Sequence, residues 1–208
     1  MKIETLVLGP VSTNCYVVSK NGKCLIIDPA DRADRIIDHL KRNSLECEGI
    51  LLTHGHFDHI SATDKLVTAL KAPYYIHKND EEMLSNVSYN ASHYFGDSVT
   101  VTSTPRILYS GGVYTIGSFD VTVIETPGHS KGSVSYKIEN NLFAGDLLFY
   151  SSCGRTDLHG GDVRQIVNSI AKITKELNDD TVIYPGHDTF FTFFEAKNSN
   201  YIVASIIK

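Results

Sequence analysis

The stretch 49-GILLTHGHFDHISAT-63 runs from an apolar segment straight into three histidines and an aspartate, His54, His56, Asp58 and His59, packed within six positions. A short apolar run bounded by polar residues reads as a buried strand that delivers a loop. Side chains alternate along such a segment, so His54 and His56 project to one side while Asp58 and His59 turn the other way. Two half-sites result. Imidazoles and carboxylates without thiolates suit zinc, iron or manganese.

Upstream of this cluster, alternation and β-branched residues predict strands over 2–7, 14–19 and 23–28, joined by turns containing Pro10 or Asn21-Gly22. Ala33, Ile36, Ile37 and Leu40 recur at helical spacing over 31–42. Downstream, a helix is expected over 60–70, then the strand PYYIH, then a short helix capped by Asn79. Strands over 119–125, 133–138 and 141–146 precede a helix carrying Val163, Ile166, Val167, Ile170 and Ile173, and a strand over 181–184 follows. Residues 86–104 are polar, aromatic and weakly periodic, which predicts a surface excursion and a partial cover for the site.

The second half repeats a local design. VTVIETPGH ends in His129 and TVIYPGH ends in His187, each histidine held just past a strand by a Pro-Gly turn, and Asp146 closes the strand LFAGD. Five of the nine histidines fall in the opening cluster or in these turns. That concentration points to a metal site assembled at strand ends rather than to scattered surface histidines.

Composition narrows the function classes. At 208 residues the chain suffices for one domain, expected over 1–208, and 42% hydrophobic with 21% charged residues is ordinary for a globular protein. The apolar runs are too short to span a bilayer and the start lacks the pattern of an export signal, so a cytoplasmic location without membrane association is expected. Cys15, Cys24, Cys47 and Cys153 show no CxxC pairing, which argues against a disulfide framework or a thiolate zinc knot. A net charge of −5 with no basic run argues against a nucleic-acid partner.

Taken together, H-x-H-x-D-H at 54–59, His129, Asp146 and His187, with Asp28 in LIIDPA, resemble the five ordered motifs of the metallo-β-lactamase superfamily. The likeness spans most of the chain. LLTHGHFDHI, TPGHSKGSVSY, AGDLLFYSSCGRTDLHGGD and VIYPGH are similar to the glyoxalase II branch, especially its short bacterial members. The resemblance implies an α/β fold, a four-layer αββα sandwich with the metals at one edge between two sheets. It implies that His54, His56 and His129 hold one divalent transition-metal ion, that Asp58, His59 and His187 hold a second, and that Asp146 bridges them. Zinc is the expected metal, with iron and manganese as alternatives, and Asp58 is also expected to orient the attacking hydroxide.

Such a pair of metals lowers the pKa of bound water from ~15.7 to roughly 7 and steadies the oxyanion formed at a carbonyl. A thiolate leaves more easily than an amine, so a small thioester or ester is the expected substrate. Two alternatives stay open: a mononuclear iron persulfide dioxygenase and a lactone hydrolase of the same superfamily. Full-length glyoxalase II continues into a helical glutathione-binding domain, whereas this chain stops about twenty residues after His187, which predicts weaker dependence on the glutathione portion. Asp188-Thr189 after the last PGH and the run FFTFF at 190–194 also depart from the branch. Asp28 reads equally as a turn residue or as an acceptor behind a liganding histidine. Arg155 and Asp157 read as a local ion pair, and Tyr89, His93, Tyr94 and Phe95 as packing or a substrate wall.

Overall fold

The computed structural model describes residues 1–96 and 98–207. Three strands open the chain: β1 (Lys2–Leu8), β2 (Thr13–Lys20) and β3 (Lys23–Ile27). After α1 (Ala33–Arg42) come β4 (Glu46–Leu51), α2 (Phe57–Ile60), α3 (Thr63–Leu70), β5 (Tyr74–His77) and β6 (Arg106–Leu108). The second half contains β7 (Gly112–Ile116), β8 (Phe119–Glu125), β9 (Val134–Ile138), β10 (Asn141–Gly145), α4 (Val163–Ile173), β11 (Val182–Pro185), β12 (Phe191–Thr192), α5 (Phe193–Ser199) and α6 (Tyr201–Ile206).

Two six-stranded sheets form, in the orders β1-β2-β3-β4-β5-β6 and β12-β11-β10-β9-β8-β7. Alternation explains how they stack. In β2, Cys15 and Val17 belong to one core while Tyr16 and Val18 belong to another, and in β3 the pairs Cys24, Ile26 and Leu25, Ile27 divide the same way. A strand apolar on both faces must be covered on both. The outer face of the first sheet is covered by Ile36, Leu40 and Leu66 of α1 and α3. The outer face of the second is covered by Ile166 and Ile170 of α4 with Phe193 and Val203 of the terminal helices. The sheets close on each other through Tyr16, Leu51, Tyr136 and Phe143, completing the αββα sandwich.

Strand direction then decides where loops gather. β3 and β4 are parallel, as are β10 and β11, while β8 and β10 each run antiparallel to β9 and so share one direction. The C-terminal ends of parallel strands lie at one edge, the usual ligand edge of α/β sheets. Each motif residue follows such an end.

Several local expectations change. The helix expected over 60–70 divides into α2 and α3, and α2 starts early enough to carry Asp58 and His59. Residues 78–84 are a 3-10 helix, capped by the ring of His77 rather than by Asn79. Val163 and Val167 are exposed, so α4 buries a narrower stripe than its apolar spacing implies. The excursion over 86–104, of which residue 97 lies outside the described residues, is anchored rather than merely superficial. Asn90, fully buried, donates from its amide to the carbonyls of Met83 (3.0 Å) and Val99 (2.9 Å). Phe191 and Phe193 are core whereas Phe190 and Phe194 are exposed. Among the described residues no helix is long and apolar enough to cross a membrane.

Candidate metal centre

Five segments deliver the seven predicted donors. His54 and His56 stand in the loop after β4, Asp58 and His59 on α2, His129 in the turn beyond β8, Asp146 directly after β10 and His187 after β11. Their ligand atoms form three overlapping trios, His54/His56/His129, His54/His59/Asp146 and Asp58/His59/His187, with the atoms of each trio within 4.8 Å of one another. Asp146 stands between the two ends of the cluster: its oxygens lie 3.5 Å from Nε2 of His59, His129 and His187. Asp58 Oδ2 lies 3.3 Å from His59 Nε2 and 3.4 Å from His187 Nε2. The approach leaves no room at Gly186, where a Cβ would come within 2.1 Å of Asp146 Oδ1.

Hydrogen bonds behind the donors choose their tautomers. Asp28, in a left-handed conformation (φ 50), accepts the Thr53 amide on Oδ1 at 2.7 Å. Its Oδ2 accepts both the Thr53 hydroxyl (2.7 Å) and Nδ1–H of His59 (2.9 Å). With its proton committed to Asp28, Thr53 Oγ1 accepts from Nδ1 of His54 at 3.0 Å. His129 Nδ1 donates to the carbonyl of Arg155 at 2.7 Å. In its neutral form each of the three rings therefore keeps the lone pair on Nε2. Both readings of Asp28 hold at once, since it turns the chain and orients two histidines.

Sequence reasoning missed three supports. Thr13 donates to Asp58 Oδ2 at 2.7 Å. The Arg155 carbonyl carries no side-chain signature. Asp80, fully buried, accepts from Gly55 N (3.0 Å), Ser130 Oγ (2.5 Å) and Gly132 N (2.6 Å), tying the His54–His56 loop to the His129 loop. In sequence Asp80 looks like any residue of the acidic run NDEE.

Electrostatics divide the cluster. Burial, reinforced by neighbouring imidazoles, drives His54 well below its ordinary value and His56 down to about 3, so both rings are neutral. Burial also opposes charge on His187, yet its hydrogen bonds to Asp146 and Asp58 push it up to about 10. For Asp146 burial acts upward, but the rings of His59 and His187 hold it down to about 2.

These residues fit divalent cations. His54 Nε2, His56 Nε2, His59 Nε2 and Asp146 Oδ1 are buried without a hydrogen-bond partner, although buried polar atoms are normally paired. His56 Nδ1 donates to His129 Nε2 at 2.8 Å, which leaves the lone pair of His56 on its unpartnered Nε2. Lone pairs converging in a water-poor site are what a cation resolves.

The donors floor a cleft of about 180 Å³ whose walls include Val11, Phe57, Ala91, Phe95, Arg155 and Leu158. Phe95 packs on Phe57 with ring centroids 4.8 Å apart, so the excursion contributes to the wall. Tyr94 and His93 do not line the cleft. Tyr89 stacks on His159, centroids 3.6 Å apart, joining the excursion to the 154–162 loop. Arg155 makes a bidentate pair with Asp157, both contacts 2.7 Å.

Known proteins resemble this chain in sequence and fold. Residues 8–187 match the family described as the Metallo-beta-lactamase superfamily. The probable metallo-hydrolase YqgX of Bacillus subtilis is 36% identical over 190 residues, 90% of each chain. The hydroxyacylglutathione hydrolase GloC of Haemophilus influenzae is 29% identical over 206 residues, 96% of this chain and 97% of GloC. Among solved structures, the B3 metallo-β-lactamase BLEG-1 superposes with a TM-score of 0.94 at 37% identity, covering 97% of this chain and 99% of that one. TTHA1623 in a di-iron-bound form gives 0.86 at 32% identity, covering 95% and 98%. With its sandwich, its strand-end donors and its sequence all in agreement, the chain belongs to the metallo-β-lactamase superfamily.

Proposed function

We propose that residues 1–208 act as one domain, a dinuclear metal-dependent hydrolase that cleaves a small thioester or ester of the S-lactoylglutathione type. His54, His56 and His129 would hold one ion, Asp58, His59 and His187 the other, with Asp146 between them. Zinc is the favoured metal, and the di-iron form of TTHA1623 keeps iron in view.

One observation carries the reading. Apart from the donors, the cleft wall holds no serine, cysteine, lysine or tyrosine among the described residues, and its Arg155 is already paired with Asp157. Attack must then come from water, and the leaving group must depart without a dedicated proton donor. The bound ions supply a water acidified from ~15.7 toward roughly 7 and positive charge for the developing oxyanion. Asp58, steadied by Thr13, faces the cleft and orients the attacking water. A C–O bond forms, the C–S bond breaks and its electron pair leaves on sulfur as a thiolate, while the water proton passes to solvent. A thiolate is a far better anion than an alkoxide or an amide, a thiol having a pKa of about 8.5. The match to GloC over 97% of that protein supports the substrate class.

A second reading, β-lactam hydrolysis, draws on the TM-score of 0.94 to BLEG-1, but a departing ring amine needs a proton that this wall does not offer. The test is a metal-reconstituted panel of S-lactoylglutathione, a simpler thioester, a lactone, a β-lactam and glutathione persulfide. Turnover of the thioesters above the rest is expected. Persulfide turnover with oxygen uptake and no thioesterase activity would overturn the reading.

A further inference from the structure

A second, larger cavity opens beside the cleft. Val11 and His187 line both, and from them a groove of about 450 Å³ runs across Thr5, Val7, Asn14 and Phe190. Its origin is a mismatch between the sheets. Thr5 and Val7 pair in register with Tyr16 and Asn14, so all four face the second sheet. Tyr16 meets Tyr184 of β11, centroids 5.4 Å apart, which puts β1 opposite β12. β1 has seven residues and β12 only two. The inner face of β1 therefore outruns its cover, and Val7 is left 55% exposed where Tyr16 beside it is 3% exposed.

The groove has a firm floor and a definite chemistry. Asn14 donates to the carbonyls of Pro185 (3.0 Å) and Asp188 (2.9 Å), and Tyr16 donates to Pro185. Val7 and Phe190 form apolar walls, and Thr5, Ser12 and Thr189 add hydroxyls. Among the described residues, the one charged side chain in the lining beyond His187 is Asp188, with no lysine or arginine to offset it.

On the reading of the site as a thioester hydrolase, we propose that this groove receives the thiol-side arm of the substrate and selects an uncharged or cationic, amide-bearing arm over an anionic one. The acyl half occupies the small cleft, and the scissile sulfur lies where the two cavities meet at His187. Methylenes of the arm pack on Val7 and Phe190, amide groups meet the hydroxyls, and a carboxylate is repelled by the exposed Asp188.

The test uses the metal-loaded protein and lactoyl thioesters of N-acetylcysteamine, thiocholine and 3-mercaptopropionate, which carry neutral, cationic and anionic arms. The anionic arm should show kcat/KM lower by about threefold to tenfold, mostly through KM. Asp188→Asn, which tolerates the left-handed φ of 64 at this position, should narrow that gap. Phe190→Ala should raise KM for the neutral arm. Three arms within about twofold of one another, unmoved by Asp188→Asn, would overturn the groove assignment while leaving the hydrolase standing. Hydrolysis of none of them would overturn the thioester reading itself and this inference with it. A dimer in sedimentation that Phe190→Asp dissociates would also overturn it, by making the groove an interface between copies.

Discussion

Oδ2 of Asp28 lies 2.9 Å from Nδ1 of His59 and 2.7 Å from the hydroxyl of Thr53, which itself lies 3.0 Å from Nδ1 of His54. One buried carboxylate thereby sets the tautomer of a histidine in each half of the cluster. Asp28→Asn keeps the volume, and asparagine accepts the positive φ, so the change isolates the hydrogen bonding. Metal affinity should fall by about 10- to 100-fold at both half-sites together. A competitive chelator titration checks this, and weakening of a single ion would contradict the shared role.

Asp80 should matter more for stability than its place in an acidic run implies. Asp80→Ala strands two buried backbone amides and removes one partner of the Ser130 hydroxyl, an expected loss of about 2–4 kcal/mol. Gly132→Ala attacks the same junction sterically, because its Cβ would come within 2.6 Å of Asp80 N. Urea unfolding of the metal-free protein measures both, and a midpoint unchanged by either would refute the linkage.

Above pH 6.5 the metal-free protein should weaken as pH rises. His187, raised from 6.5 to about 10 by its bonds to Asp146 and Asp58 against the opposing effect of burial, contributes stability that is complete below 6.5 and lost as pH climbs through about 10. Asp146, held down from 3.8 to about 2, contributes stability present above 3.8 and lost as pH falls through about 2. Thermal melts should thus decline on the alkaline side of 6.5, whereas below 6.5 the buried, neutral His54 and His56 make stability rise with pH. Saturating zinc should flatten the alkaline limb, since a cation takes over the role of the histidine proton.

Removing donors should separate the two ions. Asp58→Ala or His187→Ala is expected to lower occupancy from two ions toward one, read by elemental analysis after reconstitution with zinc, iron or manganese. Chelation should abolish hydrolysis and metal should restore it. A chain that holds no metal after reconstitution would sink the assignment.

Much of the scaffold was legible because its cause is local. Strands β2, β3 and β4 are apolar on both faces, which calls for cover on each side, and α1 carries its stripe at helical spacing. The terminal helices were harder. In FFTFF only Phe191 and Phe193 are core, and the pattern emerges where the two-residue β12 passes directly into α5, capped by Thr192 with Glu195. No periodicity can establish itself over so short an element. The cap at residue 77 was equally hidden, since an imidazole acting as acceptor depends on which ring nitrogen holds the proton.

By itself the sequence marked out most strands and helices and the seven candidate donors, because periodicity and side-chain chemistry are properties of each segment, while the layered sandwich was an expectation from the resemblance of its motifs. Tertiary structure alone decided which oxygen stands behind which imidazole, since Asp28 and His59 are 31 positions apart and Asp80 and Gly132 are 52 apart. It also decided that a groove stays open over Val7, because that depends on the lengths of β1 and β12, strands of different sheets that meet only when the sandwich closes.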